Sequence, residues 1–114
     1  MLELLVALTL PFKATLHAPT HRPHVEMPWP ISIRVTDRAG HPLRARLTMR
    51  LLFAGVPVGK VDNGRVYRFS GTWRERRGEE ISYPRESRGH RLTFQAIVTA
   101  RGRTAKLNFW VQPR

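Results

Sequence analysis

The sequence predicts an all-β fold, an antiparallel two-sheet sandwich of about seven strands. Three observations carry this expectation. Apolar and polar residues alternate with period two in nearly every readable stretch. Nine prolines and eight glycines interrupt the chain, and the longest proline-free runs, Val58–Tyr83 and Arg85–Gln112, still contain glycines, which disfavours long helices. Turn signals recur every ~8–12 residues, the spacing of a sandwich. A small barrel is the rival architecture and would point the same residues inward. At 114 residues the chain suits one domain, 1–114, with one core.

Taken in order, Phe12, Ala14, Leu16 and Ala18 alternate with Lys13, Thr15 and His17 and read as a half-buried first strand. The preceding Leu4–Leu10 segment is apolar. Residues 1–11 are either the remnant of a signal or membrane segment or the beginning of that strand, and Glu3 stands where a signal would carry a basic residue. No stretch approaches the ~20 apolar residues of a membrane-spanning helix. Pro19–Pro30, with four prolines and two histidines, is expected to be an irregular extended connector. Ile31, Ile33 and Val35 then alternate with Ser32, Arg34 and Thr36 and end in a turn at Asp37–Pro42.

The clearest pattern follows. Leu43, Ala45, Leu47, Met49, Leu51 and Phe53 fall on one face, and Arg44, Arg46, Thr48 and Arg50 on the other. A helix would scatter these arginines, whereas a strand collects them. Gly55–Gly59 is expected to end that strand, and Lys60-Val61 before Asp62-Asn63-Gly64 resembles a hairpin turn that needs positive φ. Arg65–Ser70 is β-rich, with Tyr67 and Phe69 on one face. Thr72–Glu80 admits either a helical turn or an exposed edge, and Ile81–Pro84 reads as a short extended piece. Arg91–Ala100 and Leu107–Val111, joined by an Arg101-Gly102-Arg103 turn, form a closing hairpin. The expected core includes Ile33, Val35, Leu47, Met49, Phe94, Val98, Leu107 and Phe109. Phe53, Tyr67 and Phe69 are in phase with it.

The stretch Pro30–Leu43, in which a strand ending Val35-Thr36-Asp37 meets a Gly40-His41-Pro42 turn, resembles the second strand and following turn of bacterial immunoglobulin-like domains. The hairpin from Leu92–Ala100 to Thr104–Val111 is similar to their last two strands. The resemblance spans Trp29 to Val111. It implies a spacer or binding module of envelope or secreted proteins, extracellular or in the cell envelope, with no shared catalytic residue. The cytoplasm is the alternative location.

Charge narrows the functional classes. The chain carries 20 basic and 8 acidic residues, a net of +12, which favours anionic partners. Seventeen of the basic residues are arginine, and codon composition would account for that equally well. There is no cysteine, so disulfides, thiolate metal sites and a cysteine nucleophile are excluded. No serine sits in a Gly-x-Ser-x-Gly elbow, and no glycine-rich phosphate loop precedes a helix, so an enzyme is not expected. His17, His21, His24 and Met27 alone approach the spacing of a metal set, of the kind that holds copper in some periplasmic sandwiches, although no closed-site spacing is matched and proline-rich connectors of this kind are ordinarily solvated loops. No cofactor is expected.

Two readings remain. One is a non-catalytic interaction or spacer module whose partner is another protein. The other is sequence-nonspecific binding of nucleic acid or an acidic cell-wall polymer through Arg44, Arg46, Arg50, Arg91 and Lys106, with Trp110 at the border of the stripe. Trp110 faces outward, either as a ligand platform or packed beneath an arginine or the amino-terminal segment.

Overall fold

A computed structural model describes residues 10–114. In chain order the strands are β1 (Lys13–His17), β2 (Ser32–Thr36), β3 (Arg44–Phe53), β4 (Val56–Lys60), β5 (Tyr67–Ser70), β6 (Thr72–Arg74), β7 (Leu92–Ala100) and β8 (Arg103–Val111). They form two antiparallel sheets. One has the order β1-β2-β6; the other has the order β4-β3-β7-β8, with β5 also paired to β3. The reading of residues 1–11 lies, up to Thr9, outside the described residues. No helix among the described residues is long and apolar enough to cross a membrane.

Eight strands occupy seven sheet positions, because β4 and β5 share one edge of β3. Val56–Lys60 lies opposite Arg50–Phe53, and Tyr67–Ser70 lies opposite Arg44–Leu47. Asp62, Asn63 and Gly64 do adopt positive φ, at 52°, 55° and 74°. They make no hairpin, however. They form a one-turn excursion, closed by the Tyr67 hydroxyl donating to Asp62 Oδ2 at 2.7 Å, after which the chain resumes the same edge. The hairpin lies earlier, at Ala54 and Gly55 with φ of 51° and 80°: β3 ends at Phe53 as expected, and the segment that follows also builds β4. Pro57 is tolerated because β4 is an edge strand, and Val58 is the extra residue of a bulge between the Leu51–Gly59 and Leu52–Pro57 pairs.

The crossing between sheets falls at Gly71. Its N–H donates to the Leu43 carbonyl at 2.9 Å, and its carbonyl accepts the Val35 N–H at 2.7 Å, so one residue is bonded both to β2 and to the residue that leads into β3. Its φ of 79° is open to glycine at little cost.

Period two holds through the interior. Ile33, Val35, Leu47, Met49, Phe94 and Val98 are buried as the alternation requires. Leu107 and Phe109 are only half-buried, since β8 ends its sheet. Phe53 departs from expectation at 48% exposed: it stays in phase but is the last residue of β3, where the His90 ring meets it edge-on at 6.3 Å and leaves the rest of its surface open. Tyr67 and Phe69 sit half-buried at the core margin. The aromatic centre comes from elsewhere, from Phe12, Trp29, Tyr83 and Phe94. The 19–30 connector is irregular as expected, yet it is bonded on both sides: Trp29 and Glu26 donate backbone N–H groups to the Ile81 and Tyr83 carbonyls, while Arg114 and Gln112 donate to Pro23 and His21.

β6 forms an edge of the smaller sheet, and Glu75 follows it into a half-buried site. One carboxylate oxygen accepts the Ile81 N–H at 2.8 Å; the other, like the Tyr83 hydroxyl, is buried without a partner. Desolvation, aided by Asp62 and Glu80 and opposed by the Ile81 bond, pushes the Glu75 carboxyl up to about 7. Burial, and then the Glu75 charge, raises the Tyr83 hydroxyl above its ordinary range. A folded-state value above the unfolded 4.5 means that the folded chain binds the proton more tightly. The associated stability is therefore full below pH ~4.5 and is lost as pH rises through ~7. With allowance for partial solvent screening, Glu75→Gln should gain about 1–2 kcal/mol on wild type between pH 5 and pH 8. Urea unfolding of both proteins across that range checks this; parallel pH profiles would refute it.

Candidate functional site

The outward positions of the larger sheet follow from its register. Across β3, β7 and β8 they run in rows: Arg46, Thr99 and Thr104; then Thr48, Ile97 and Lys106; then Arg50, Gln95 and Asn108; then Leu52, Thr93 and Trp110, where Leu52 is covered and buried. On the far side of β3, Arg68 stands opposite Arg46 and Lys60 opposite Arg50. No strand of this sheet contains an aspartate or glutamate. Like charges directly opposite one another repel, and neither pair has a carboxylate between its strands to offset that cost. Among the described residues Arg44, Arg46, Arg68, Arg101 and Lys106 have no ion-pair partner. The ion pairs His41–Asp37 and Arg85–Glu26, at 3.0 and 3.3 Å, lie away from this face.

Arg50 is held in place. Its Nε donates to Gln95 Oε1 at 2.7 Å, and Gln95 Nε2 donates to Asn108 Oδ1 at 2.9 Å, a polar ladder across three strands. Gln95 is 5% exposed, so its amide is fixed by packing as well as by bonding. Toward the turn end, Arg44, Arg46, Arg68 and Arg101 surround a shallow depression of about 550 Å³ with Phe69 in its wall. Arginine presents a rigid fork of donors, suited to bidentate contact with phosphate, sulfate or carboxylate oxygens.

Trp110 lies at the opposite end of the face. The Arg91 guanidinium sits 4.2 Å from its ring centroid and that of Arg22 lies at 5.8 Å. The His21 ring stacks at 4.0 Å on both Trp110 and Phe109. His21 Nδ1 lies 2.7 Å from the Trp110 carbonyl, which can only accept, so Nδ1 carries a proton. Trp110 is thus half-buried beneath an arginine and against the connector, the packed alternative of the two, and not an open platform.

The six residues singled out in the sequence share one face but not one stripe. Arg44 and Arg46 gather with Arg68 and Arg101. Arg50 and Lys106 stand in neighbouring rows two strands apart, and Arg91 and Trp110 form a separate cluster. Arg68, Arg101, Gln95 and Asn108 were not anticipated. The first two are legible only as part of the general arginine excess, and the last two carried no signal. His17 lies on β1 opposite Ser32, His21 is committed to its stack, and Met27 is 57% exposed. Among the described residues no three His, Asp or Glu side chains converge as a metal site requires.

The described residues define a two-sheet antiparallel β-sandwich with one basic, acid-free sheet face. The chain matches no protein-family model, and no curated protein matches it.

Proposed function

We propose that this chain is a non-catalytic immunoglobulin-like module that binds an anionic polymer, without sequence preference, through the outer face of its larger sheet. The strand order supports the fold assignment: the first, second and sixth strands share one sheet while the third, seventh and eighth share the other, as in the two sheets of immunoglobulin domains with an added edge strand. The observation that carries the binding reading is the pair of like-charged cross-strand contacts, Arg46 with Arg68 and Arg50 with Lys60, on strands free of acidic residues. A polyanion laid along these residues relieves their repulsion and releases its condensed counterions, so affinity falls steeply with salt. By analogy with the fold, the module works in the cell envelope or outside the cell.

Titration of mixed-sequence duplex DNA and of inorganic polyphosphate at several salt concentrations tests the reading. Replacing Arg44, Arg46 and Arg50 with serine should reduce the DNA salt slope by about 2.7, since each phosphate contact contributes ~0.9. Replacing Lys13, Arg34 and Arg74 on the other sheet removes the same charge and should change binding far less. Equal losses in the two triple variants would reduce the effect to net charge. No binding at 50 mM salt, where such contacts are far less screened than at physiological ionic strength, would leave the spacer reading.

A further inference from the structure

A second surface has the opposite chemistry. On the inner side of the larger sheet, beyond the end of the smaller one, a groove of about 750 Å³ runs between β4 and the 80–90 segment. Phe53, Val58 and Leu92 form its apolar walls, and Asp62, Glu80 and Glu86 contribute carboxylates. Three of the chain's eight acidic residues therefore line one groove of a protein with net charge +12. Lys60 and His90 also line it, and they leave the acidic excess in place.

The apolar part of the groove is open to solvent. Phe53 is 48% and Val58 57% exposed, and neighbouring Val56 is 60% exposed. Large apolar side chains that gather on a surface mark contact sites more often than isolated ones do. The carboxylates are not used up internally. Glu80 Oε1 accepts the Gly78 N–H and Asp62 Oδ2 accepts the Tyr67 hydroxyl, while none of the three forms an ion pair among the described residues despite the abundance of arginine. β4 also ends its sheet, so its outer backbone edge has no strand partner among the described residues.

We propose that this groove binds an extended segment of a partner protein in which apolar side chains alternate with arginine or lysine. In an extended segment successive side chains point to opposite sides. One set can then fill the space around Phe53, Val58 and Leu92 while the other meets Glu80, Glu86 and Asp62. The backbone of the segment runs along the groove, between β4 and the 80–90 segment. Charge selects the occupant: elsewhere the surface repels a cationic partner, and here it attracts one. The groove shares only Lys60 with the outer face, and none of Arg44, Arg46, Arg68 or Arg101 lines it, so this inference stands apart from the polymer-binding reading.

The test is an amide chemical-shift titration of the ¹⁵N-labelled protein with an acetylated, amidated hexapeptide of alternating valine and arginine. Saturable shifts are expected at Val58–Asp62 and at residues 80–87. The same peptide with glutamate in place of arginine should leave those residues unmoved. Glu80→Gln with Glu86→Gln should weaken binding at least fivefold, and Val58→Ser should weaken it separately. Val58 and Glu86 are exposed, and the amide oxygen of glutamine can still accept the Gly78 N–H at position 80; unchanged unfolding midpoints would show that the fold is kept. Absence of shifts at the groove, or equal affinity in the double variant, would overturn the proposal. So would a sedimentation result in which the free protein dimerises and the double variant does not, because the occupant would then be a second copy of this chain.

Discussion

Replacing Trp29 with alanine is expected to lower the unfolding free energy by about 3–5 kcal/mol, the range for removing a large aromatic side chain from a packed core. Trp29 is 1% exposed although it lies in the proline-rich connector. Its ring meets Tyr83 and Phe94 edge-on at 5.3 Å and Phe109 at 5.9 Å, so it touches the 81–83 segment and both strands of the closing hairpin. Its indole N–H donates to the Thr20 carbonyl at 2.9 Å and its backbone N–H to Ile81 at 2.7 Å. Alanine leaves a cavity at the junction of these elements and strands the Thr20 carbonyl. A domain of ordinary stability has about 5–15 kcal/mol in total, so the variant should be marginal. Trp29→Phe keeps most of the packing and should lose about 1–2 kcal/mol, chiefly the hydrogen bond and some volume. Urea unfolding followed by far-ultraviolet circular dichroism measures both. A loss below ~1 kcal/mol for the alanine variant would mean that Trp29 is not at the centre of the core.

Gly71→Ala should cost about 2–3 kcal/mol, from two separable causes. The φ of 79° strains any residue with a Cβ, and a Cβ at this position would lie 3.0 Å from Pro42 Cβ. Neither partner can withdraw easily, because Gly71 is bonded to Leu43 on one side and to Val35 on the other. Pro42→Gly removes the opposing atom. In that background Gly71→Ala should cost only the backbone strain, about 1–2 kcal/mol, and the double-mutant cycle should show about 1 kcal/mol of coupling. Additive losses would place the whole cost in the backbone. No loss at all would mean that the crossing between sheets tolerates an ordinary residue.

Local geometry accounts for what the sequence by itself determined. A strand's side chains alternate faces whatever the strand packs against, so the alternation of Ile33 and Val35, of Leu47 and Met49, and of Phe94 and Val98 was enough to name the inward set. The same rule put Arg44, Arg46 and Arg50 together on an outer face. The turn at Arg101-Gly102 was legible for a related reason, since positive φ is a property of single residues.

Only the tertiary structure decided coverage and pairing, because both depend on segments far apart in the chain. Phe53 has the right phase, but at the end of β3 it is left 48% exposed against the His90 ring. Trp29 has no periodicity around it, and its burial follows from the closing of the connector onto Ile81, Phe94 and Phe109. Asp62-Asn63-Gly64 has the backbone of a hairpin turn, and only the pairing of both flanking strands with β3 shows it to be an excursion along one edge. Glu75, set among arginines in the sequence, is half-buried because β6 feeds it toward Ile81 and Tyr83. The juxtapositions of Arg46 with Arg68 and of Arg50 with Gln95 and Asn108 likewise arise from sheet register. Local pattern fixes the direction of a side chain, whereas the long-range closure of the two sheets fixes its neighbours.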